Sequence, residues 1–130
     1  MPLPIPVTLL YGSLAALLVG ALGANVSRIR GVKKSFVGDL PDAELNRHIR
    51  AHGNATEWTP LLILLLLLLE LSGGVGSALL HGIGGTIVAA RLLHAVGMIG
   101  KSGLSIAGAG LTYLLAFALP IYALVLRFRG

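Results

Sequence analysis

The stretch "RHIRAHGNATEWTPLLILLLLLLEL", residues 47–71, joins a strongly polar half to a strongly apolar half. Its apolar run, 59–71, is too short to cross a hydrocarbon core, which needs roughly 20 helical residues. The turn signal Ser-Gly-Gly at 72–74 prevents extension in the C-terminal direction. The helix must therefore extend backward through Glu57 and Arg50, so its polar half enters the edge of a membrane.

The composition of the whole chain agrees with a membrane location. Of its 130 residues, 55% are hydrophobic and 12% are charged, and the mean hydropathy is +0.88. Soluble globular domains carry about twice that share of charged residues. We therefore expect one integral membrane domain spanning 1–130. The absence of cysteine excludes disulfides and thiolate metal sites.

Apolar segments predict four helices, at about 7–30, 44–71, 75–97 and 103–127. Short links between them favour antiparallel neighbours, so the predicted fold is an all-α, up-down four-helix bundle. Asp42 is expected to cap the second helix, and Glu70 to lie in solvent at its far end. A signal peptide is an alternative for the first segment, but its N-terminal flank lacks Lys and Arg.

The distribution of positive charge predicts the orientation in the membrane. The second loop has no Lys or Arg, whereas the first loop carries several and the third carries Lys101, near Arg91. By the positive-inside rule, loops one and three face the cytoplasm, although Arg127 and Arg129 weakly favour the opposite. The positive residues in and beside these two loops are Arg28, Arg30, Lys33, Lys34, Arg47, Arg50 and Lys101. Nucleic-acid binding is disfavoured, because no aromatic platform or soluble domain accompanies these charges.

A polar stripe marks the second helix. Arg50, Asn54 and Glu57 stand at i, i+4 and i+7, on one face. A carboxylate at the hydrocarbon edge costs about 3 kcal/mol unless it is paired or faces a wet cavity. Arg91 and His94, an i, i+3 pair on the third helix, are expected at the same depth as partners of Glu57.

This cluster has two interpretations. Arg–Glu pairs alone would lock the bundle together. However, guanidinium groups outnumber carboxylates, and the planar fork of arginine is suited to binding a carboxylate ligand. Asn54 and Glu57 would select a ligand that also offers an amide or an ammonium, as a small acidic peptide does. The histidines His48, His52, His81 and His94 lack a metal-ligand pattern, so no metal site is expected.

The segment "RAHGNATEWTP", 50–60, resembles the signature of the MAPEG family, the membrane-associated proteins of eicosanoid and glutathione metabolism. The segment "ARLLHAVG", 90–97, is similar to the family's third-helix ending. The resemblance extends over essentially the whole chain in length and helix count. It implies a homotrimer of four-helix bundles in a bacterial inner membrane, with glutathione bound between subunits at the cytoplasmic side.

The resemblance also implies roles for individual residues. Arg50 would hold a glutathione carboxylate, Asn54 would bond the peptide amides, and Glu57 would take the γ-glutamyl ammonium. Arg28 or Arg30 corresponds to the family's first-helix arginine. The remaining candidate contacts with glutathione are His52, Trp58, Arg91 and His94.

Catalysis is less well defined by the sequence. Conjugating family members lower the pKa of the glutathione thiol with an arginine early in the fourth helix and tyrosines ending the third. Here the third-helix positions resemble His94 and Met98, and Lys101 is the only cation near the start of the fourth helix. No catalytic residue is assigned. The expected function is a glutathione transferase or peroxidase acting on lipophilic electrophiles. The alternatives are a non-enzymatic lipid- or glutathione-binding membrane protein and a small transporter that uses Glu57.

Overall fold

A computed structural model describes residues 4–129 and confirms the predicted four-helix architecture. The helices are α1 (Pro6–Lys33), α2 (Ala43–Leu71), α3 (Ser77–Gly100) and α4 (Leu104–Arg129). No strand occurs in the described part of the chain. Each of the four helices is long and apolar enough to cross a membrane.

Local sequence signals explain how the helices begin and end. Asp42 caps α2 as predicted, because its Oδ1 accepts a hydrogen bond of 2.8 Å from the backbone N–H of Leu45. Lys34 and Lys101 follow α1 and α3 in the left-handed conformation, with φ of 50° and 55°. Gly73 takes a φ of 67° in the tight turn after α2, a conformation that favours glycine.

Leucines of α2 form the centre of the bundle. Leu62, Leu66 and Leu69 are buried against Ile87 of α3 and Leu115 of α4. Large apolar side chains remain exposed on the outer faces of all four helices. Such extensive apolar surface suits contact with lipid rather than with water.

Glycines bring α3 and α4 unusually close together. A Cβ built on Gly108 of α4 would lie 2.6 Å from the carbonyl oxygen of Ala90 on α3. Gly97 of α3 lies equally tightly against the backbone of Leu104 and Ser105 at the start of α4. Small residues allow this approach where lipid offers no hydrophobic drive for helix association.

The expectation that Glu70 is a solvated helix terminus is wrong. Its carboxylate accepts hydrogen bonds from the backbone N–H groups of Val7 at 2.9 Å and Thr8 at 2.7 Å. Helix α1 has no side-chain cap and no acidic residue in its first turn, so these donors need an outside acceptor. The up-down topology brings the end of α2 to the start of α1, and Glu70 supplies that acceptor.

Candidate functional site

Arg91 joins three helices from the interior of the bundle. Its side chain on α3 is only 1% exposed. One terminal nitrogen, Nη1, donates to Thr112 Oγ1 of α4 at 2.9 Å, and Nη2 donates to Asn54 Oδ1 of α2 at 2.6 Å. Its Nε has no hydrogen-bond partner among residues 4–129. The guanidinium therefore fixes α2, α3 and α4 relative to one another at this level.

The hydroxyl group of Thr112 has fixed donor and acceptor roles in this hydrogen-bond network. Its hydroxyl donates to the carbonyl oxygen of Gly108 at 2.8 Å, so its proton is already used. The same oxygen accepts from Arg91. Thr112 is 2% exposed, and neither bond competes with water.

A small cavity of about 50 Å³ adjoins this network. This volume is sufficient for about one ordered water molecule. The ring of Trp58 meets the ring of Tyr113 edge-on at 5.2 Å on its border. His94 is 7% exposed, and its Nδ1 has no hydrogen-bond partner within the described chain. The residues around the cavity are Asn54, Trp58, Arg91, His94, Ala109, Thr112 and Tyr113.

The predicted pairing of Glu57 with Arg91 and His94 is wrong within one chain. Arg91 bonds Asn54 and Thr112 instead, and Glu57 is exposed on the outer side of α2. Asn54 and Glu57 are about 60° apart around a helix of 3.6 residues per turn. That rotation is enough to turn Asn54 toward α3 while Glu57 faces outward.

The alternative interpretation requires Arg–Glu ion pairs that lock the bundle. No Arg–Glu ion pair occurs between residues 4 and 129. Between residues 4 and 129 the ion pairs join Lys33 to Asp42 at 2.6 Å and to Glu44 at 2.8 Å. Both lie at the surface and join the last residue of α1 to the start of α2. Arg50 and Glu57 form no ion pair in the described chain, and both are exposed.

His52 lies on the opposite side of α2 from the cavity. A Cβ built on Gly23 of α1 would lie 3.0 Å from His52 Nε2, so His52 faces α1. His52 and Asn54 are roughly 160° apart around the helix axis. The structure therefore does not bring His52 together with the residues around the cavity.

The two first-helix arginines differ in their surroundings. Arg28 is exposed, and its Nη2 donates to Asn25 Oδ1 at 2.9 Å. Asn25 in turn contacts His48 Nδ1 on α2 at 2.8 Å. Arg30 is half-buried and reaches the carbonyl oxygens of Ser35 and Phe36 in the following loop. Arg28 therefore shares the α1–α2 side with His52, and Arg30 is directed toward the loop.

The candidate residues thus divide into two sets. The cavity side combines Asn54, Trp58, Arg91 and His94, with Arg50 and Glu57 on the adjoining outer surface of α2. The α1 side carries His52 and Arg28.

Two residues at the cavity were missed by sequence reasoning. Thr112 and Tyr113 border the cavity but are not among the site residues that the sequence predicts. A usable signal was present, because Gly108 and Thr112 are one helical turn apart. This spacing places a hydroxyl beside the point where the α3 backbone can approach.

An apolar groove of about 480 Å³ runs between α1 and α2. It starts one turn beyond His52 and continues along α2 to Ile63. Its walls include Gly12, Ala16, Gly20, Thr56, Pro60 and Ile63. This shape and polarity suit an acyl chain or another lipophilic molecule.

Comparison with known proteins agrees with this architecture. The model of the MAPEG family matches residues 8–125. The chain is 37% identical to inner membrane protein YecN of Escherichia coli strain K12 over 91 residues, which cover 70% of this chain and 69% of YecN. YecN of Escherichia coli O6:H1 matches to the same extent, at 37% identity over 91 residues, 70% of this chain and 69% of that protein.

Proposed function

The chain belongs to the MAPEG family, and we propose that it is an inner-membrane protein that binds glutathione and transfers it to lipophilic electrophiles or reduces peroxides with it. The four membrane-length helices and the inner-membrane relative support this location. By the positive-inside rule, the α1–α2 and α3–α4 loops face the cytoplasm, where glutathione is available.

The observation that carries this proposal is the unpaired charge on the outer face of α2. Arg50 and Glu57 are exposed there, without ion pairs in the described chain, beside the cavity that Asn54 borders. Ionisable groups at the edge of a membrane need partners or a wet site. Glutathione offers both kinds of partner, a carboxylate for Arg50 and an ammonium for Glu57.

The division of candidate residues supports a site between subunits. A ligand held by Arg50 and Asn54 on one chain lies on the far side of α2 from His52 and Arg28. A second copy that presents its α1 side to this face would place both sets around one ligand. We therefore propose that the protein is a homotrimer with glutathione bound at each interface.

The chemistry requires a thiolate. In the transferase reaction the sulfur attacks an electrophilic carbon, a thioether forms, and the leaving group departs with the bonding electrons. In the peroxidase reaction two glutathione molecules are oxidised to the disulfide, while the peroxide is reduced to an alcohol and water. The apolar α1–α2 groove offers a route for a lipophilic substrate from the bilayer.

One observation favours a second candidate function, glutathione binding without turnover. A thiolate needs a nearby cation or donor. Arg91 is buried and already bonded to Asn54 and Thr112. Lys101 is exposed and does not border the cavity. Tyr113, 53% exposed on the cavity border, is the remaining hydroxyl donor there.

Isothermal titration of the purified oligomer with glutathione tests the proposal. We expect saturable binding that is lost in Arg50→Ala combined with Glu57→Gln. Arg127→Ala is the matched control, because it removes an exposed arginine at the end of α4. No heat of binding in the unmodified protein, or unchanged binding in the double variant, would contradict the proposal.

Spectroscopy separates the enzyme from the binding protein. A glutathione-dependent rise in ultraviolet thiolate absorbance, with turnover of chlorodinitrobenzene or a lipid hydroperoxide, supports the enzyme. Binding without absorbance change and without turnover supports the second candidate. Proton-coupled uptake of a solute into proteoliposomes would instead identify a transporter, provided that Glu57→Gln abolishes this uptake.

A further inference from the structure

The amide of Asn54 has its orientation fixed by a buried cation. Asn54 Oδ1 accepts from Arg91 Nη2 at 2.6 Å. A guanidinium only donates hydrogen bonds, so the atom of the amide that faces it must be the oxygen. A flipped amide would turn its own N–H groups against a positive charge and lose a charge-assisted bond.

Arg91 is itself held in place. Thr112 Oγ1 accepts a hydrogen bond from Arg91 Nη1 at 2.9 Å and donates one to the carbonyl oxygen of Gly108 at 2.8 Å. With 1% exposure, Arg91 is covered by the bundle and is open only to the small cavity. Asn54, in contrast, is half-buried and reaches the surface of the bundle.

We infer that Arg91 is a positioning residue that fixes the orientation of the Asn54 amide. In this orientation the amide N–H groups face the ligand and donate to a hydrogen-bond acceptor on it. The acceptor is a peptide carbonyl or a carboxylate oxygen of glutathione. Asn54 Oδ1 faces Arg91, so the N–H groups on the other side of the amide are the part of Asn54 that is directed to the ligand. This inference rests on the proposed glutathione binding and revises the direct contact between Arg91 and glutathione that the family resemblance implied.

The fixed polarity distinguishes two substitutions at the same position. Asn54→Asp keeps an oxygen toward Arg91 and turns the bond into an ion pair, but it removes both N–H donors. Asn54→Leu removes the acceptor and leaves a buried guanidinium N–H without a partner. Thermal unfolding of the ligand-free oligomer should therefore show Asn54→Asp at or above the unmodified midpoint and Asn54→Leu below it.

A second variant tests the coupling directly. In an Arg91→Met background, Asn54→Asp places a carboxylate beside the cavity without its cation, so it should lower the unfolding midpoint. Equal effects of Asn54→Asp with and without Arg91 would overturn the inference. This arm uses no glutathione, so its result stands even if the proposed function fails.

Titration with glutathione completes the test. We expect Asn54→Asp to weaken binding at least tenfold while the fold stays intact, and Arg91→Met to weaken binding although Arg91 is buried and not on the surface of the bundle. Arg91→Lys, which retains a cation and a donor, should recover part of the affinity. Asn46→Asp is the matched control, since it adds the same charge to an exposed position of α2.

The outcomes separate the two proposals. Unchanged affinity in Asn54→Asp, with normal binding by the unmodified protein, would overturn the donor role and leave the proposed function standing. Absence of binding by the unmodified protein would overturn both the proposed function and the reading of glutathione by Asn54.

Discussion

At the scale of single residues, Glu70 fixes the start of α1 from the end of another helix. Its carboxylate accepts from the N–H groups of Val7 and Thr8. Glu70→Ala leaves both donors without this acceptor, so we expect a loss of about 1–2 kcal/mol of stability. Thermal unfolding in detergent measures it. Glu44→Ala, which removes an exposed carboxylate at the other end of α2, should have a much smaller effect, and equal effects would contradict this role.

The lowered pKa of the Asp42 carboxyl group predicts that the stability of the protein depends on pH. The hydrogen bond from Lys33, and then the backbone N–H of Leu45, hold the pKa of Asp42 below its ordinary value of 3.8. A lowered pKa in the folded state stabilises the fold above the ordinary value, and this contribution is lost as pH falls through the folded-state pKa. Asp42→Ala should therefore lower the unfolding midpoint at neutral pH, with a difference that narrows on acidification below 3.8. A difference that is constant with pH would exclude this contribution.

These two residues show which contacts the sequence predicts. The cap by Asp42 is local, because donor and acceptor are three residues apart, and it was predicted correctly. The cap by Glu70 joins groups more than sixty residues apart. The sequence gives only indirect evidence for this cap. Helix α1 has no capping side chain of its own, and the up-down topology brings the end of α2 to its start.

At the scale of helices, the close contact of α3 with α4 requires glycine at position 108 as well as at position 97. A Cβ on Gly108 would overlap the backbone at Ala90 and His94, so Gly108→Ala should destabilise the bundle by about 1–3 kcal/mol. The variant should also disturb the bond between Arg91 and Thr112, one turn away. Gly110→Ala is the control, since nothing lies within 4 Å of its Cβ position. Thermal unfolding that shows equal stability of the two variants would contradict the close packing.

The end of α3 offers a stabilising change. Lys101 has a φ of 55°, a left-handed conformation in which a Cβ is unfavourable. Lys101→Gly should raise the stability by about 1 kcal/mol. Lys101→Ala keeps the Cβ, so the unfavourable backbone conformation remains and the stability should not rise. Thermal unfolding compares them, and equal midpoints would show that the backbone at this position carries no strain.

Helix length was predictable and helix rotation was not. The length of α2 followed from the hydrocarbon thickness and the turn at 72–74. Its polar face followed from the spacing of Arg50, Asn54 and Glu57. Which of these residues turns toward α3 depends on how the helices pack, and a spacing pattern leaves that rotation undetermined. The pairing of Glu57 with Arg91 failed for this reason, whereas Asn54, one turn earlier, makes the contact.

At the scale of the whole molecule, α2 separates two incomplete halves of one proposed site. Arg50, Asn54 and Glu57 belong to the cavity side, and His52 and Arg28 to the α1 side. One chain cannot close both halves around a single peptide. In the proposed homotrimer, each half would be completed by the other half of the neighbouring subunit.

Subunit mixing tests this central claim most directly. Arg50→Ala disables the cavity side, and Arg28→Ala combined with His52→Ala disables the α1 side, so each variant alone should bind glutathione weakly. The two variants are co-expressed with different tags, the mixed oligomers are isolated by both tags, and glutathione is titrated calorimetrically. We predict that tight binding returns in a fraction of the sites, because a mixed trimer contains one interface with both halves intact. Mixed oligomers that bind as weakly as either variant alone would contradict a site shared between subunits.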